Sequence, residues 1–306
     1  MSSTYPTIAV CLAAYNGTRY LDEQLNSIFA QTCVNVTVFV SVDVSIDGTE
    51  AFIDALALKD SRIVVLPHGE YFGGASRNFF RLIRDVDFSS FDYVSLADQD
   101  DIWLPNKLLS AHEVLVNNNA AACSSDVLAF WPDGRRELIK KSQPQVKWDF
   151  LYEAAGPGCT YVLSNDLASH LKQLITKNWE EVQKVELHDW FIYAFARVGD
   201  YGWVIDDVPN MLYRQHDKNQ VGVNHGYKAG IARFKKIMNG WLFDQSTLIA
   251  KLVGFEDDSF KFNWLKPHNK GIFWLALQAG QCRRRLKDKI AFALSCLILF
   301  VLKLGS

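Results

Sequence analysis

From Thr7 to Ala97 the chain alternates short apolar, β-branched runs with amphipathic segments, and that alternation admits few folds. Thr7 to Ala13 (TIAVCLA) is the first run, closed by the turn Tyr15-Asn16-Gly17. Tyr20 to Ala30 then sets Leu21, Leu25, Ile28 and Phe29 on one face of a helix. Val36 to Val42 carries valine at every other position and ends in the polar turn Asp43 to Thr49, which leads into a helix near Glu50 to Leu58. Arg62 to Leu66 is a third strand, Ala75 to Arg84 a third helix, and Tyr93 to Ala97 a fourth strand. Strands and helices at this spacing predict right-handed βαβ units, hence an α/β fold with a mostly parallel central sheet flanked by helices. Ligands of such sheets sit beyond the carboxyl ends of the strands.

Those ends carry Ala13-Ala14-Tyr15-Asn16, Asp43 and the tetrad Asp98-Gln99-Asp100-Asp101. Clustered carboxylates repel one another, and hard oxygen ligands of this kind suit Mg²⁺ or Mn²⁺ with help from substrate phosphates. A solvated acidic loop is the plainer reading of the tetrad. The convergence of three polar strand ends on one crevice favours a site. Gly73-Gly74 before the third helix reads either as a close backbone approach to a phosphate or as an ordinary helix start. Arg77 beside it is either a diphosphate ligand or a surface residue.

The remaining sequence sets limits. With 306 residues, 49% apolar, the chain can bury a large core. A formal charge of −2 gives no case for nucleic acid as a partner. Six cysteines without a CxxC pair support neither a zinc site nor a redox motif, and Cys11 reads as a small core residue. Met1 to Pro6 is short and polar, so no secretory leader is expected, and unpaired thiols fit the cytosol. Beyond Lys107 the alternation weakens. Tyr161 to Leu163 and Trp203 to Ile205 are strand-like, Asn165 to Leu174 and Phe191 to Arg197 helical, and Leu212 to Asn219 is dense in polar groups.

These residues together resemble a family 2 glycosyltransferase of the GT-A fold, over Thr7 to about Gly222. The matching segments are Cys11 to Gly17, Asp43 to Thr49, Gly74 to Phe79 with Asn78, Asp98 to Trp103 with Pro105 and Lys107, His188-Asp189-Trp190, and Tyr213-Arg214-Gln215-His216 with Asn219 and Gly222. The resemblance implies that Ala13, Tyr15 and Asp43 line a nucleotide-sugar pocket, with Arg77 near the diphosphate. It implies that Asp98 lies by the ribose and diphosphate and that Asp100 holds the metal. His216 resembles a late histidine that completes the metal or phosphate site; a histidine bonded to a loop carbonyl is the alternative. Asp189 resembles the catalytic base of an inverting displacement; a helix N-cap is the plainer role, and Glu186 is a rival base. The chain departs from the family pattern where Val42 replaces an Asp and Val44 a Gly, a poor residue wherever φ must be positive.

Within the family the segments look most like the rhamnosyltransferase branch. That implies dTDP-L-rhamnose as donor, with UDP-hexoses the alternative, and a glycan or lipid-linked glycan of a bacterial surface polysaccharide as acceptor. A metal-dependent phosphohydrolase and a non-catalytic nucleotide-sugar-binding protein are the rivals from other classes. Residues 1–222 are expected to form the GT-A domain and 223–306 a helical extension. Ile290 to Leu302 is apolar apart from Ser295 and, as a helix, is about 20 Å long, short of a bilayer core of about 30 Å. With Arg283, Arg284, Arg285 and Lys287 ahead of it, the run predicts a segment lying on the anionic inner face of the cell membrane. Docking on the core or on a second subunit of a homo-oligomer is the alternative.

Overall fold

In a computed structural model the described residues are 5–216, 234–255 and 269–304. Asn219, Gly222 and the boundary expected at 222 lie outside them. The central sheet has seven strands: β1 (Thr7–Ala14), β2 (Asn35–Val42), β3 (Ile63–Val65), β4 (Tyr93–Ala97), β6 (Ala122–Ser125), β9 (Val162–Ser164) and β10 (Trp203–Asp206). Their order is β10-β6-β9-β4-β1-β2-β3, and every pairing is parallel except those of β9. β1 lies between β4 and β2, with Cys11 opposite both Leu96 and Phe39. Ile8 to Leu12 are therefore fully buried, which is why this strand reads as an unbroken apolar run. The helices α1 (Leu21–Phe29), α2 (Thr49–Ala57) and α3 (Ala75–Asp85) occupy the expected segments.

A second sheet of order β5-β11-β7-β8 was not expected. It comprises β5 (Ile102–Trp103), β7 (Val127–Phe130), β8 (Arg136–Ile139) and β11 (Met211–Arg214). β5 is two residues long and starts directly after the tetrad. It pairs antiparallel with β11, Leu212 opposite Ile102, and so carries the segment ending in His216 to the end of β4. The pairing joins residues more than a hundred positions apart, which local periodicity cannot reveal. A fourth helix, α4 (Lys107–Asn117), was also not anticipated; α5 (Asn165–Lys177), the short α6 (Trp179–Val182) and α7 (His188–Val198) follow.

Beyond residue 234 come α8 (Trp241–Leu252), α9 (Asn269–Leu277), α10 (Ala279–Cys282) and α11 (Leu286–Leu304). Their buried residues, among them Phe243, Ile249, Cys282 and Phe292, join the same apolar core as Phe80, Trp190 and Phe191. No helix among the described residues is long and apolar enough to cross a membrane.

The basic cluster ahead of α11 does not all face outward, as the sequence suggested. Arg284 is buried and pairs with Asp149 at 3.1 Å. Its backbone N–H donates to Glu153, and Arg283 donates to the Tyr152 carbonyl at 2.7 Å. Asp149, fully buried, also accepts from Arg197 at 2.8 Å and from the Tyr193 hydroxyl at 2.9 Å, both on α7. An acidic residue sunk in the core needs such partners, and the arginines supply them. Replacing Arg284 with Ala should cost about 3 kcal/mol in urea denaturation, because Asp149 stays buried with fewer donors. A cost under about 1 kcal/mol would show that Arg197 and Tyr193 suffice to hold Asp149.

Candidate active site

The carboxyl ends of β4, β1 and β2 lie side by side and are stitched together. Gln99, inside the tetrad, accepts from the Tyr15 backbone N–H at 2.8 Å and donates to the Tyr15 carbonyl at 2.9 Å. A Cβ at Gly17 would fall 2.3 Å from Gln99 Oε1, so a side chain there would push Gln99 out of this pair of bonds. Asn16 adopts a left-handed conformation, φ 47°, and its side chain accepts from the Ile46 N–H at 2.9 Å. Gly17 N–H donates to Thr49 Oγ1 at 2.8 Å, so the turn after β1 is bonded to the turn after β2.

Asp43 is buried, and its carboxylate accepts from three backbone N–H groups: Val44 at 2.9 Å, Phe72 at 2.9 Å and Gly73 at 2.8 Å. It fixes the loop before α3. Val42, where the family pattern set out above has an Asp, is buried at the end of β2 opposite Ala14. Val44 is not among the residues with positive φ, so this turn does not need the glycine it lacks. Arg77 is exposed and spans two loops, donating to the carbonyls of Gln183 at 2.9 Å and Phe72 at 3.1 Å. Ala13 is buried, whereas Tyr15 is 52% exposed at the mouth of the crevice.

The tetrad divides three ways. Asp100 Oδ2 lies 2.7 Å from His216 Nε2, and both side chains are mostly buried. His216 stacks on Tyr20 with ring centroids 5.2 Å apart. Asp101 is buried and accepts from the Arg214 N–H at 3.1 Å, while Arg214 Nε donates to the Asp100 carbonyl at 2.7 Å and its guanidinium pairs with Glu23. Asp98 is part-buried and crowded by Asp101 and the Cys159 thiol; one ligand atom from each lies within 4.8 Å of the others. Burial, reinforced by the Asp100 charge, pushes the Asp98 carboxyl up to about 7. Asp101 is held well above the ordinary range by burial and then by Asp100 and Asp98. Burial also raises the Cys159 thiol, so it remains protonated. Lys107, buried with its ammonium 3.6 Å from the centroid of the Trp103 ring, is lowered to about 8 by burial.

Asp189 enters from the first turn of α7. Leu187, not Asp189, occupies the N-cap position. Its carboxylate accepts from the Trp190 N–H at 2.8 Å, and its charge acts on Asp98. Burial pushes Asp189 up to about 6. The start of α7 is held by Ser76, which accepts from the His188 N–H at 2.9 Å and donates to the Glu186 carbonyl at 2.6 Å. His188 stacks on Phe79 at 4.1 Å, and its Nε2 faces Gly158, where a Cβ would come within 2.4 Å. Burial lowers His188 to about 3, so the ring is neutral. Glu186 is exposed.

The structure thus gathers Asp98, Asp100, His216 and Asp189 at one strand-end crevice, with Tyr15 at its edge. Asp43 and Arg77 brace the loops around it. The sequence reading missed Gln99, Tyr20 and Cys159 as parts of the site. Gln99 lay in plain view inside the tetrad, while nothing local to Tyr20 or Cys159 marked them. The donors, carboxylates and one imidazole, fit a hard divalent cation, which would also offset the part of the Asp98 shift that the Asp100 charge adds to burial.

The site is thus a cluster of acidic side chains at the carboxyl edge of a mostly parallel sheet, with a carboxyl near neutrality beside them, in an α/β protein. The family profile of Glycosyl transferase family 2 matches residues 9–173, and the chain belongs to that family. It is 44% identical over 288 residues, 94% of this chain and 99% of the relative, to the dTDP-rhamnosyl transferase RfbG of Shigella flexneri. It is 30% identical over 171 residues to the Escherichia coli UDP-Glc:alpha-D-GlcNAc-diphosphoundecaprenol beta-1,3-glucosyltransferase WfgD, covering 52% of this chain and 61% of that one. Among solved structures, S. aureus TarS 1-349 in complex with UDP aligns over 98% of this chain and 92% of its own, with TM-score 0.55 at 13% identity. The chain spans 54% of the longer TarS structure. The fold is GT-A.

One prediction concerns Asp98. Its raised pKa means that the metal-free folded state binds this proton more tightly than the unfolded chain does. The folded state is therefore favoured at acid pH and loses that advantage as pH rises from about 4 through about 7. Asp98→Asn should raise the Tm of metal-free protein at pH 8 by a few degrees, ~2–4 °C, with a smaller gain at pH 5. An unchanged or lower Tm at pH 8 would remove the repulsion argument.

Proposed function

We propose that the protein is an inverting, metal-dependent glycosyltransferase that moves L-rhamnose from dTDP-L-rhamnose to a hydroxyl of a bacterial surface polysaccharide or its lipid-linked precursor. The observation that carries the chemistry is the pairing of Asp189, pushed up to about 6, with the Asp98–Asp100 carboxylates on the same crevice. The donor assignment is supported by the near full-length similarity to a dTDP-rhamnosyl transferase.

Asp189 takes the proton of the acceptor hydroxyl as it attacks the anomeric carbon from the face opposite the departing nucleoside diphosphate. A carboxyl with a pKa near 6 is largely ionised at neutral pH yet more basic than an ordinary aspartate, which suits that task. The neutral His188 and the Ser76 bridge hold the start of α7, and so the carboxylate, in position. Asp100 and His216 would hold Mg²⁺ or Mn²⁺, whose charge stabilises the departing diphosphate. Asp98 faces the ribose and diphosphate, with Ala13 and Tyr15 beside the base. Asp43 and Arg77 act on the donor indirectly, through the loop at Phe72-Gly73 that both bind. A UDP-hexose donor is the second reading, supported by similarity to WfgD and by the fold shared with TarS, which was crystallised with UDP.

Asp189→Asn should reduce transfer by about 10²–10⁴-fold while leaving nucleotide-sugar binding within a few-fold of wild type. Transfer at near wild-type rate would refute the base assignment. In the wild type, kcat should fall about tenfold per pH unit below about 6, because a protonated Asp189 cannot accept the proton. A thermal-shift panel of dTDP- and UDP-sugars, with and without Mn²⁺ or Mg²⁺, tests donor and metal together. dTDP-L-rhamnose should raise Tm most, and only with the cation; Asp100→Asn should abolish that cation dependence. Equal stabilisation in EDTA would overturn the metal role, and a larger shift with a UDP-hexose would move the donor to the second reading.

A further inference from the structure

One side of α11 packs inward through Phe292, Cys296 and Leu299, with the Phe292 ring 5.0 Å from Tyr152. The other side is exposed, and from Ile290 to Leu302 every solvent-facing residue is apolar. Leu286 (71% exposed), Ile290 (53%), Leu294 (55%), Ile298 (43%), Val301 (63%) and Leu302 (59%) line it. At 100° per residue these six cover an arc of about 160°, far broader than the a/d seam of a paired helix. The apolar surface continues onto α9 through the exposed Phe273 and Leu277. Soluble proteins seldom leave a patch of this size bare. The one charge on the same arc is basic: Lys287, exposed, about 60° from Ile290 and one turn before it. The acidic Asp288, half-buried, lies about 40° beyond the edge of the arc, and Arg285 and Lys289, also half-buried, lie on the far side of the helix.

We propose that this face docks on an anionic lipid bilayer, with α11 lying along the surface, its apolar arc in the acyl–headgroup boundary and Lys287 at the phosphates. A lipid headgroup offers Lys287 a counter-charge, whereas a second copy of the same face would present only apolar residues and another lysine. Arg283 and Arg284 take no part in lipid contact, because they are engaged with Tyr152, Asp149 and Glu153. They instead fix the docking helix to the catalytic domain. Arg284 shares Asp149 with Arg197 and Tyr193 of α7, the helix that begins with His188-Asp189. The membrane would thus orient the crevice as well as retain the protein. This inference stands on the C-terminal helices and is independent of the donor and base assignments.

The test is co-sedimentation of the purified full chain with vesicles of phosphatidylcholine alone or mixed with phosphatidylglycerol, alongside sedimentation velocity without lipid. The chain should pellet with the anionic vesicles and bind the neutral ones at least ~10-fold more weakly. The double variant Leu294→Glu/Ile298→Glu alters exposed side chains only, so it should keep the wild-type Tm and lose anionic-vesicle binding by ~10-fold or more. Lys287→Glu should narrow the preference for anionic over neutral vesicles. Failure to bind anionic vesicles, or binding that the double variant leaves intact, overturns the proposal. So does a wild-type dimer that the double variant converts to monomer, since a second copy would then cover the face.

Discussion

The organising constraint of this molecule is the crowding of Asp98, Asp100 and Asp101 at the end of β4. Like charges this close cannot all ionise without compensation. The fold answers each carboxylate differently. Asp101 is drawn under the second sheet, where the Arg214 N–H meets it. Asp100 is given to His216. Asp98 is left in the crevice with a thiol and a second aspartate nearby, and holds its proton into the neutral range. The second sheet exists, in functional terms, to make this division. β11, held between the two-residue β5 and β7, carries Arg214 and His216 to the tetrad.

The same crevice shows two grades of contact with its surroundings. The turns after β1 and β2 and the loop before α3 are cross-linked by backbone-to-side-chain hydrogen bonds through Asn16, Thr49 and Asp43. Such bonds fix the shape of a pocket without presenting charge to it. Of the groups proposed to act on a ligand, Asp98 and Asp189 are raised by burial, Asp98 also by the Asp100 charge, and Asp100 is paired with His216. Rigid rims and electrostatically uneasy centres are what preorganised sites require.

How much of this could be read from the chain follows from the range of each interaction. β1 to β4 and their helices were legible because the pattern that specifies them is local: alternating valines, an apolar helical face, a polar turn. The tetrad was legible because its charges are adjacent. What escaped was set by long-range pairing. β5 and β8 are too short or too exposed to carry a period, and the inward turn of Arg284 depends on Asp149, 135 positions away. Val44 is a smaller case. The family pattern suggests a strained turn, but a β-branched residue is unstrained once φ is negative, and the folded turn keeps Val44 out of the positive-φ region. Asp189 and His216, and the split of roles within the tetrad, came from resemblance; composition or spacing alone would have left an N-cap, a loop histidine and an undivided acidic cluster.

The ion pairs around Asp149 bear on how the chain can be handled. A boundary near residue 222 looks like a natural place to trim it to a minimal catalytic unit. Yet α10 and α11 cover Tyr152 and Trp148, and Arg284 neutralises a fully buried carboxylate. A fragment ending there would lose the cover over that part of the core and leave Asp149 and Glu153 short of counter-charge beneath the helix that carries Asp189. The C-terminal helices therefore belong to the structural unit that performs the chemistry, and a shortened chain would report on its own damage more than on the enzyme.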